Sequence, residues 1–336
     1  MTEAQTDTEG WQTDAALGGD FQARTIPLRA DAHGDVVATL VRLPATENAD
    51  SANSKRGSVL WVHGWADYFL QAELAGQLAA LGFDVYGLDL RRYGRSIRPG
   101  QEQNFSTDMH GYFEELDAAA ELIRAEPGYQ RLIVIGHSTG GLITSLWAHA
   151  RRAAGIVDGL VLNSPWLDLA EPWHTRVLAS PLIQLLGKVA PMYMLRPTSS
   201  TAYGESLHQD HHGEWDFRLD WKPLAAVPVR AGWLAAVRRA HRELHLGLDV
   251  RGPVLVMHSD RSLLRQLKWS EPMMHADAVL DVDQIHQWAP KIGVQAETVV
   301  IPGGMHDLFL SAPPVRANAL ATVTTWLDKH FPAPTP

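Results

Sequence analysis

The stretch Arg131–Ile143, RLIVIGHSTGGLI, places an apolar run directly before a serine that is enclosed by glycines. Glycine weakens the interior of strands and helices alike, so glycines at this density indicate a backbone that other residues cannot follow. RLIVIG predicts a buried strand and GGLITSLWAHARRA predicts a helix. Between them, Gly136-His137-Ser138-Thr139-Gly140 matches G-x-S-x-G, the turn that lifts a nucleophilic serine above a parallel sheet. We therefore predict that Ser138 is a catalytic nucleophile.

The segments around this turn alternate between strand and helix patterns. The order is β-α-β-α-β, which is typical of a mostly parallel central sheet with helices on both faces, so the predicted fold class is α/β. Two further strands, FQARTIPLRA and DVVATLVRLP, precede these segments and are joined by a hairpin at Ala32-His33-Gly34. The alternating segments are GSVLWVHGW, QAELAGQLAALG, FDVYGLDL, YFEELDAAAELIRAE, RLIVIG, GGLITSLWAHARRA and VDGLVLNSP.

The alternation stops after Pro165 and resumes at GPVLVMHSD, which indicates that a helical and aromatic-rich segment is inserted between two strands. Such insertions commonly lie over the carboxyl ends of the strands, where open α/β sheets bind ligands. We predict four parts: a flexible tail at 1–20, a first core part at 21–165, a cap at 166–249 and a second core part at 250–336.

Composition excludes several classes of protein. The 336 residues carry a net charge of −9 with no dense basic run, which argues against a nucleic-acid partner. No cysteine is present, so disulfides, thiolate metal sites and a cysteine nucleophile are excluded. No apolar run approaches the roughly 18 residues of a membrane span, and the N-terminus lacks the pattern of a secretion signal. We expect a cytoplasmic protein.

A serine nucleophile needs a base, and the base needs an orienting acid, in the chain order Ser, Asp or Glu, His for this type of turn. In VVIPGGMHDL, His306 lies on a loop after a predicted strand and is the predicted base. Two acids remain open from the residues alone. Asp260 directly follows a strand, and Asp277 precedes a helix.

At these positions the chain resembles the α/β-hydrolases, in particular the monoacylglycerol lipase and lysophospholipase-like esterases, which are also called serine aminopeptidase S33 hydrolases. Members carry H-G-x-x-D-x-x-V after this strand, with the catalytic aspartate before a helix. Here a D-x-V pattern with a helix behind it occurs at Asp277, after an insertion RSLLRQLKWSEPMM, whereas Asp260 stands two residues after His258. The resemblance therefore favours Asp277, with Asp260 as the second choice.

The resemblance also implies an oxyanion hole. His63-Gly64-Trp65 resembles the family's H-G-x-G loop, which implies that the N–H groups of Trp65 and Thr139 bind the oxyanion. Ala66 stands where the second glycine usually is. Residues 87–96, GLDLRRYGRS, resemble the family's D-x-R-G-x-G-x-S loop, which we interpret as structural, with phosphate binding by its arginines as the alternative.

The predicted cap is rich in aromatic residues and methionine, which suits an apolar ligand. The predicted substrate contacts are Trp65, His137, Trp166, Met192 and Trp233. His208 and His212 have the i, i+4 spacing of some metal sites, but a solvated polar loop is favoured there and no metal site is predicted.

The predicted function is hydrolysis of carboxylic esters, such as acylglycerols, lysophospholipids or similar acyl or aryl esters, through an acyl-enzyme and without a cofactor. One alternative is a peptidase or amidase of the proline-iminopeptidase type, and another is a non-catalytic ligand-binding protein on the same fold. The peptidase alternative rests on acidic cap residues that would hold an amine. The expected partner is a small-molecule ester, with transient contact to a lipid surface and an undetermined oligomeric state. The acidic cap residues considered for this role are Asp168, Glu171, Glu205, Asp210 and Glu214.

Overall fold

The computed structural model describes residues 10–31, 34–45, 55–170, 173–196, 200–225 and 227–333. The predicted hairpin residues Ala32 and His33 lie outside these ranges. The strands are β1 (Gln12–Thr13), β2 (Gln22–Asp31), β3 (Gly34–Leu43), β4 (Gly57–Val62), β5 (Phe83–Asp89), β6 (Leu132–His137), β7 (Gly159–Asn163), β8 (Met194–Arg196), β9 (Val229–Arg230), β10 (Val254–Ser259) and β11 (Ala296–Ile301). The helices are α1 (Ala72–Ala80), α2 (Phe113–Arg124), α3 (Thr139–Ala150), α4 (Trp173–Val189), α5 (Ala202–Leu207), α6 (Ala231–Leu246), α7 (Val282–Trp288) and α8 (Pro313–His330).

Nine of these strands form one sheet in the order β1-β2-β3-β5-β4-β6-β7-β10-β11. The strands from β5 to β11 in this order are parallel, and β1, β2 and β3 add an antiparallel edge. The mostly parallel sheet confirms the predicted fold class. Because the carboxyl ends of the parallel strands meet at one edge, the loops after β4, β6, β7, β10 and β11 converge there.

Alternating side chains of the buried strands supply two apolar layers, one on each face of the sheet. On β6, Leu132 and Val134 join the cluster that includes residues of α2, α3 and α6. Ile133 and Ile135 point to the other face and join residues of α1 and α8. Helices therefore cover both faces, as predicted, and the central strands are buried on both sides.

The predicted flexible tail is too long at its C-terminal end. β1 pairs with β2, with Gln12 opposite Ala23. The carboxylate of Asp14 accepts hydrogen bonds from the guanidinium of Arg95 at 2.6 and 2.8 Å, and both side chains are buried. Residues 10–20 are thus attached to the sheet edge and to a core loop, and residues 1–9 lie outside the described ranges.

Between β7 and β10 the chain forms α4, α5, α6 and the two-stranded sheet of β8 and β9. α4 lies close against α6, since a Cβ on Gly187 would come within 3.0 Å of the carbonyl oxygen of Ala231. α6 in turn contributes Trp233, Val237 and Leu244 to the apolar cluster of the sheet. Among the described residues, no helix has both the length and the apolar character needed to cross a bilayer.

Candidate active site

Ser138 stands at the sharp turn between β6 and α3. Its backbone has φ 52° and ψ −118°, a strained conformation for a residue with a side chain. The turn needs glycine at close range, because a Cβ on Gly136 would lie 2.8 Å from the Cα of Gly141, and one on Gly140 would collide with the carbonyl groups of Val62 and His63. The two glycines of G-x-S-x-G are therefore required because β6 and α3 pass close to each other at this turn, which places the Ser138 hydroxyl above the sheet.

The structure brings Ser138, His306 and Asp277 together. The Nε2 atom of His306 lies 3.0 Å from the Oγ atom of Ser138, and its Nδ1 atom lies 2.9 Å from Oδ2 of Asp277. Ser138, His306 and Asp277 are 8%, 3% and 0% exposed. A hydroxyl, an imidazole and a carboxylate in this order and at these distances can activate the hydroxyl for attack on a carbonyl carbon.

Asp277, and not Asp260, reaches the histidine. Oδ1 of Asp277 accepts the N–H groups of Val279 and Leu280 at 2.8 and 2.7 Å, which leaves Oδ2 directed at His306. Asp260 instead accepts the N–H of Gly303 at 2.8 Å and pairs with Arg261 at 2.6 Å. Burial alone would raise the pKa of Asp260, but Arg261 and the Gly303 amide bring it below its usual value.

The loop after β4 runs directly against the nucleophile, since a Cβ on Gly64 would lie 3.0 Å from the Cβ of Ser138. Ala66 has φ 53°, so it adopts the left-handed conformation that the glycine of the H-G-x-G pattern would take. This conformation costs about 1–2 kcal/mol for a residue other than glycine. The departure from the pattern therefore adds strain to the loop.

His63 fixes the same loop from beneath. Its Nδ1 lies 2.7 Å from the carbonyl oxygen of Gly64, and its Nε2 accepts the N–H of Leu90 at 3.1 Å. Burial lowers the pKa of His63, and nearby carboxylates only partly offset this. A neutral ring with its proton on Nδ1 satisfies both contacts.

The predicted oxyanion donors are the N–H groups of Trp65 and Thr139. In the part of the chain that the structure describes, neither group donates to a carbonyl in a loop or turn. Thr139 is the first residue of α3, where N–H groups lack intrahelical acceptors and the helix dipole favours negative charge. The arrangement is compatible with an oxyanion beside Ser138.

A buried ion pair that we did not predict joins this loop to the segment before β9. Nζ of Lys222 lies 2.7 Å from Oδ1 of Asp67, and both residues are buried. Burial alone would raise the pKa of Asp67, but Lys222, with His137 and His63, brings it below its usual value. Removing one partner of such a pair costs about 3–5 kcal/mol. The only sequence signal was a charged residue two positions after Trp65.

Three of the predicted substrate contacts form one aromatic cluster, in which Trp233 is buried. The rings of Trp65 and Trp233 stack with centroids 4.5 Å apart, and Trp166 lies 5.6 Å from Trp233. His137 stands behind the site, with its ring 4.8 Å from that of His306 and its Nδ1 3.1 Å from the carbonyl oxygen of Asn163. Met192 is 38% exposed and belongs to an apolar stretch of surface that includes Tyr193 and Met194.

The arginines of the loop after β5 form ion pairs with carboxylates of the protein. Arg91 pairs with buried Glu115 at 2.6 Å. Arg95 pairs with Asp89 at 2.9 Å, and the same carboxylate accepts the N–H of Phe69. These contacts support the structural interpretation of the loop over phosphate binding.

The prediction that His208 lies in a solvated polar loop is wrong. His208 is 4% exposed, and its ring lies 4.7 Å from that of Phe217, while His212 stacks on Trp269 at 3.5 Å. Within the described ranges, no group of three or more His, Cys, Asp or Glu side chains is placed to hold a metal ion.

Known proteins resemble this chain over most of its length. The family described as serine aminopeptidase, S33, matches residues 53–312. The monoacylglycerol lipase of Mycolicibacterium smegmatis is 25% identical over 289 residues, which cover 82% of this chain and 89% of that protein.

Two solved structures share the fold. A soluble variant of monoglyceride lipase from Saccharomyces cerevisiae, in complex with a substrate analog, has a TM-score of 0.67 at 20% identity and covers 91% of this chain and 94% of its own. A thermostable carboxyl esterase from Bacillus coagulans, in complex with glycerol, has a TM-score of 0.63 at 14% identity and covers 92% and 99%.

Proposed function

The chain belongs to the family of serine aminopeptidase S33 hydrolases, and from this membership we propose that it is a carboxylic-ester hydrolase with Ser138, His306 and Asp277 as its catalytic residues. One observation carries the proposal. A continuous line of contacts runs from the hydroxyl of Ser138 through both ring nitrogens of His306 to the carboxylate of Asp277. The monoacylglycerol lipase and esterase relatives support ester hydrolysis as the reaction.

In the proposed reaction, Oγ of Ser138 attacks the ester carbonyl carbon while Nε2 of His306 takes its proton. Asp277 keeps the other ring proton on Nδ1, so that Nε2 is free to act as the base. The N–H groups of Trp65 and Thr139 bind the tetrahedral oxyanion, and each such donor stabilises it by about 3 kcal/mol.

The intermediate then collapses, and the carbon–oxygen bond to the leaving alcohol breaks. His306 returns its proton to that alcohol and leaves the acyl group on Ser138. Water, deprotonated by His306, attacks the acyl carbon and releases the carboxylic acid. The proton goes back to Oγ of Ser138, so the protein ends as it began.

Of the five acidic residues on which the aminopeptidase alternative rests, three are engaged by other side chains. Such an enzyme would hold the substrate's amine with free carboxylates, but Asp168 binds Arg238 at 2.8 Å and Glu214 pairs with Arg316. Glu205 accepts a hydrogen bond from Thr201 at 2.6 Å, and the side chain of Asp210 is 76% exposed. Glu171 lies outside the described residues. The aromatic cluster favours an apolar acyl group instead, through the partly exposed rings of Trp65 and Trp166.

We therefore expect acylglycerols or lysophospholipids with one acyl chain to be the best substrates. Initial rates on monoglycerides from short to long chain, a lysophospholipid and an aminoacyl anilide check this. kcat/KM for the best acyl ester should exceed that for the anilide by at least about 100-fold, since the site would discriminate through its apolar contacts. A faster anilide reaction would contradict the ester assignment and favour the peptidase.

The outer face of α4 supports transient contact with a lipid surface. Leu182, Leu185 and Val189 share one face of the helix and are 59%, 57% and 66% exposed. Gly187 and Gln184 occupy the opposite face, which lies against α6. The exposed residues Met192, Tyr193 and Met194 follow the helix.

Charge indicates which lipid surface this face would meet. The chain carries a net charge of −9, yet there is no acidic residue in the sequence between Glu171 and Glu205, where Lys188 and Arg196 lie. Basic groups beside an apolar face favour anionic lipid. The cytoplasmic location stays a prediction from the sequence.

Replacing both Leu182 and Leu185 by glutamate should weaken binding to phosphatidylglycerol vesicles at least about tenfold, because each buried leucine contributes about 1.5–3 kcal/mol. Co-sedimentation measures this, and hydrolysis of a water-soluble p-nitrophenyl ester should be unchanged. Val294→Glu is the matched control, because Val294 is 97% exposed and lies before β11. Equal binding by the double variant and the control would contradict contact through α4.

A further inference from the structure

A second buried carboxylate stands directly beside the proposed base. Asp307 is 1% exposed. Its Oδ1 accepts hydrogen bonds from Nδ2 of Asn163 at 2.8 Å and from the N–H of Phe309 at 3.1 Å, and its Oδ2 accepts Nε2 of Gln71 at 3.0 Å. These donors are neutral amides. A buried carboxylate is costly unless such donors surround it, so the loop after β11 is bound to its surroundings through this side chain.

Asn163, the last residue of β7, contacts both halves of the catalytic site. Its carbonyl oxygen accepts the N–H of Ser138 at 3.1 Å. Its side chain donates to Asp307 at 2.8 Å and accepts the N–H of Leu308 at 3.2 Å. Asn163 is 0% exposed and therefore lies in a fixed place between the nucleophile's turn and the histidine's loop.

Further contacts close the loop on either side of His306. Oγ of Ser311 accepts the N–H of Met305 at 2.9 Å and donates to the carbonyl oxygen of Asp307 at 3.3 Å. The hydroxyl of Tyr203 accepts the N–H of Asp307 at 3.2 Å. The backbone is thus held before and after His306, and the side chain of Asn163 joins it to the turn at Ser138.

We infer that Asn163 and Asp307 are a positioning pair that sets the separation of Nε2 of His306 from Oγ of Ser138. Neither side chain would touch the substrate, and the pair acts through the two loops that it joins. The inference rests on the proposed function. A displacement of about 1 Å at the reacting atoms can cost about 100-fold in rate. Loss of the bond between Asn163 and Asp307 should therefore lower kcat and leave KM almost unchanged.

The test exchanges the two groups. Asn163→Asp places two carboxylates against each other, and Asp307→Asn places two amides against each other. Each single variant should lower kcat about 10- to 100-fold on a soluble p-nitrophenyl ester with KM within about twofold. The double variant N163D/D307N restores one amide and one carboxylate, and should regain at least about fivefold in kcat over either single variant. We expect only partial recovery, because the N–H of Phe309 then meets the NH₂ group of the new amide at position 307, which cannot accept its hydrogen bond.

Asp117→Asn is the control for simple loss of stability. Asp117 accepts hydrogen bonds from Trp147 at 2.8 Å and Arg151 at 2.6 Å, away from the catalytic residues. It should lower Tm without lowering kcat. If a single variant does not fold, Gln71→Met replaces it. That change removes one donor to Asp307 and should lower kcat about 3- to 10-fold with KM unchanged.

The outcomes separate the two proposals. Wild-type protein that hydrolyses no ester refutes the proposed function, and the inference with it. Wild-type activity with kcat unchanged in the variants, or with no recovery in the double variant, overturns the positioning pair alone. Single losses in kcat, a steady KM and recovery on exchange support it, because a pair that only stabilised the fold would change Tm and leave kcat unchanged, as in the Asp117→Asn control.

Discussion

Replacing Ser138 by alanine is expected to lower kcat for ester hydrolysis by about 10⁵-fold or more and to leave the fold intact. The substitution removes the only atom that would form the acyl-enzyme. The residual rate would come from the oxyanion donors and substrate binding alone. The fold should persist because Ser138 Oγ has one side-chain partner, Nε2 of His306, and alanine fits the same turn.

Two measurements check this result. The first is kcat on a p-nitrophenyl ester, with Tm recorded for both proteins. The second is covalent labelling by a serine-directed phosphonate, which should modify the wild type and not the variant. Ser145→Ala is the matched control, because Ser145 is also a buried serine but donates to the carbonyl oxygen of Gly141 within α3. Hydrolysis that persists in Ser138→Ala would refute the catalytic assignment, and a wild type that neither labels nor turns over would favour a ligand-binding protein.

The turn at Ser138 could be predicted because its requirements are local. Gly136 and Gly140 stand where a side chain would collide with neighbouring backbone, and this steric limit is visible in the sequence as glycine at both positions. The alternation of strand and helix was equally readable, because buried parallel strands are apolar throughout. Local patterns thus predicted both the sheet and the position of the hydroxyl.

Contacts between distant segments could not be predicted from the sequence. Lys222 and Asp67 are separated by 155 positions, and Asn163 and Asp307 by 144. Nothing near either residue indicates that its partner exists, because hydrogen bonds and ion pairs leave no periodicity in the chain. The attachment of residues 10–20 escaped prediction for the same reason, since Asp14 and Arg95 are separated by 81 positions.

The acid was an intermediate case. The order of the segments allowed Asp260 or Asp277, and the resemblance to the family favoured Asp277. The folded loop shows which of the two carboxylates contacts His306. The insertion leaves β10 after Asp260 and returns, so that the N–H of Asp277 donates to the carbonyl oxygen of Arg261 at 3.0 Å. Asp277 therefore stands where an acid directly after the strand would be expected, despite the additional residues.

Asp277→Asn is expected to lower kcat by about 10⁴-fold, by analogy with the wrong tautomer in other triads. The structure gives the reason. The N–H groups of Val279 and Leu280 both donate to Oδ1 of Asp277, so the carbonyl oxygen of an asparagine would be held at that position. Its NH₂ group would then face Nδ1 of His306, which must give up its proton to accept that bond. The ring proton moves to Nε2, and Nε2 can no longer take the proton of Ser138.

Asp260→Asn provides the comparison, because it makes the same chemical change at the other candidate acid. It weakens the pairing with Arg261, whose side chain is 64% exposed, and should change kcat by less than about threefold. kcat on a soluble ester for both variants, with Tm as a check on folding, decides between them. A loss of several orders of magnitude in Asp260→Asn with Asp277→Asn near wild type would transfer the acid to Asp260. Equal and small effects in both would mean that His306 needs no carboxylate to hold its tautomer.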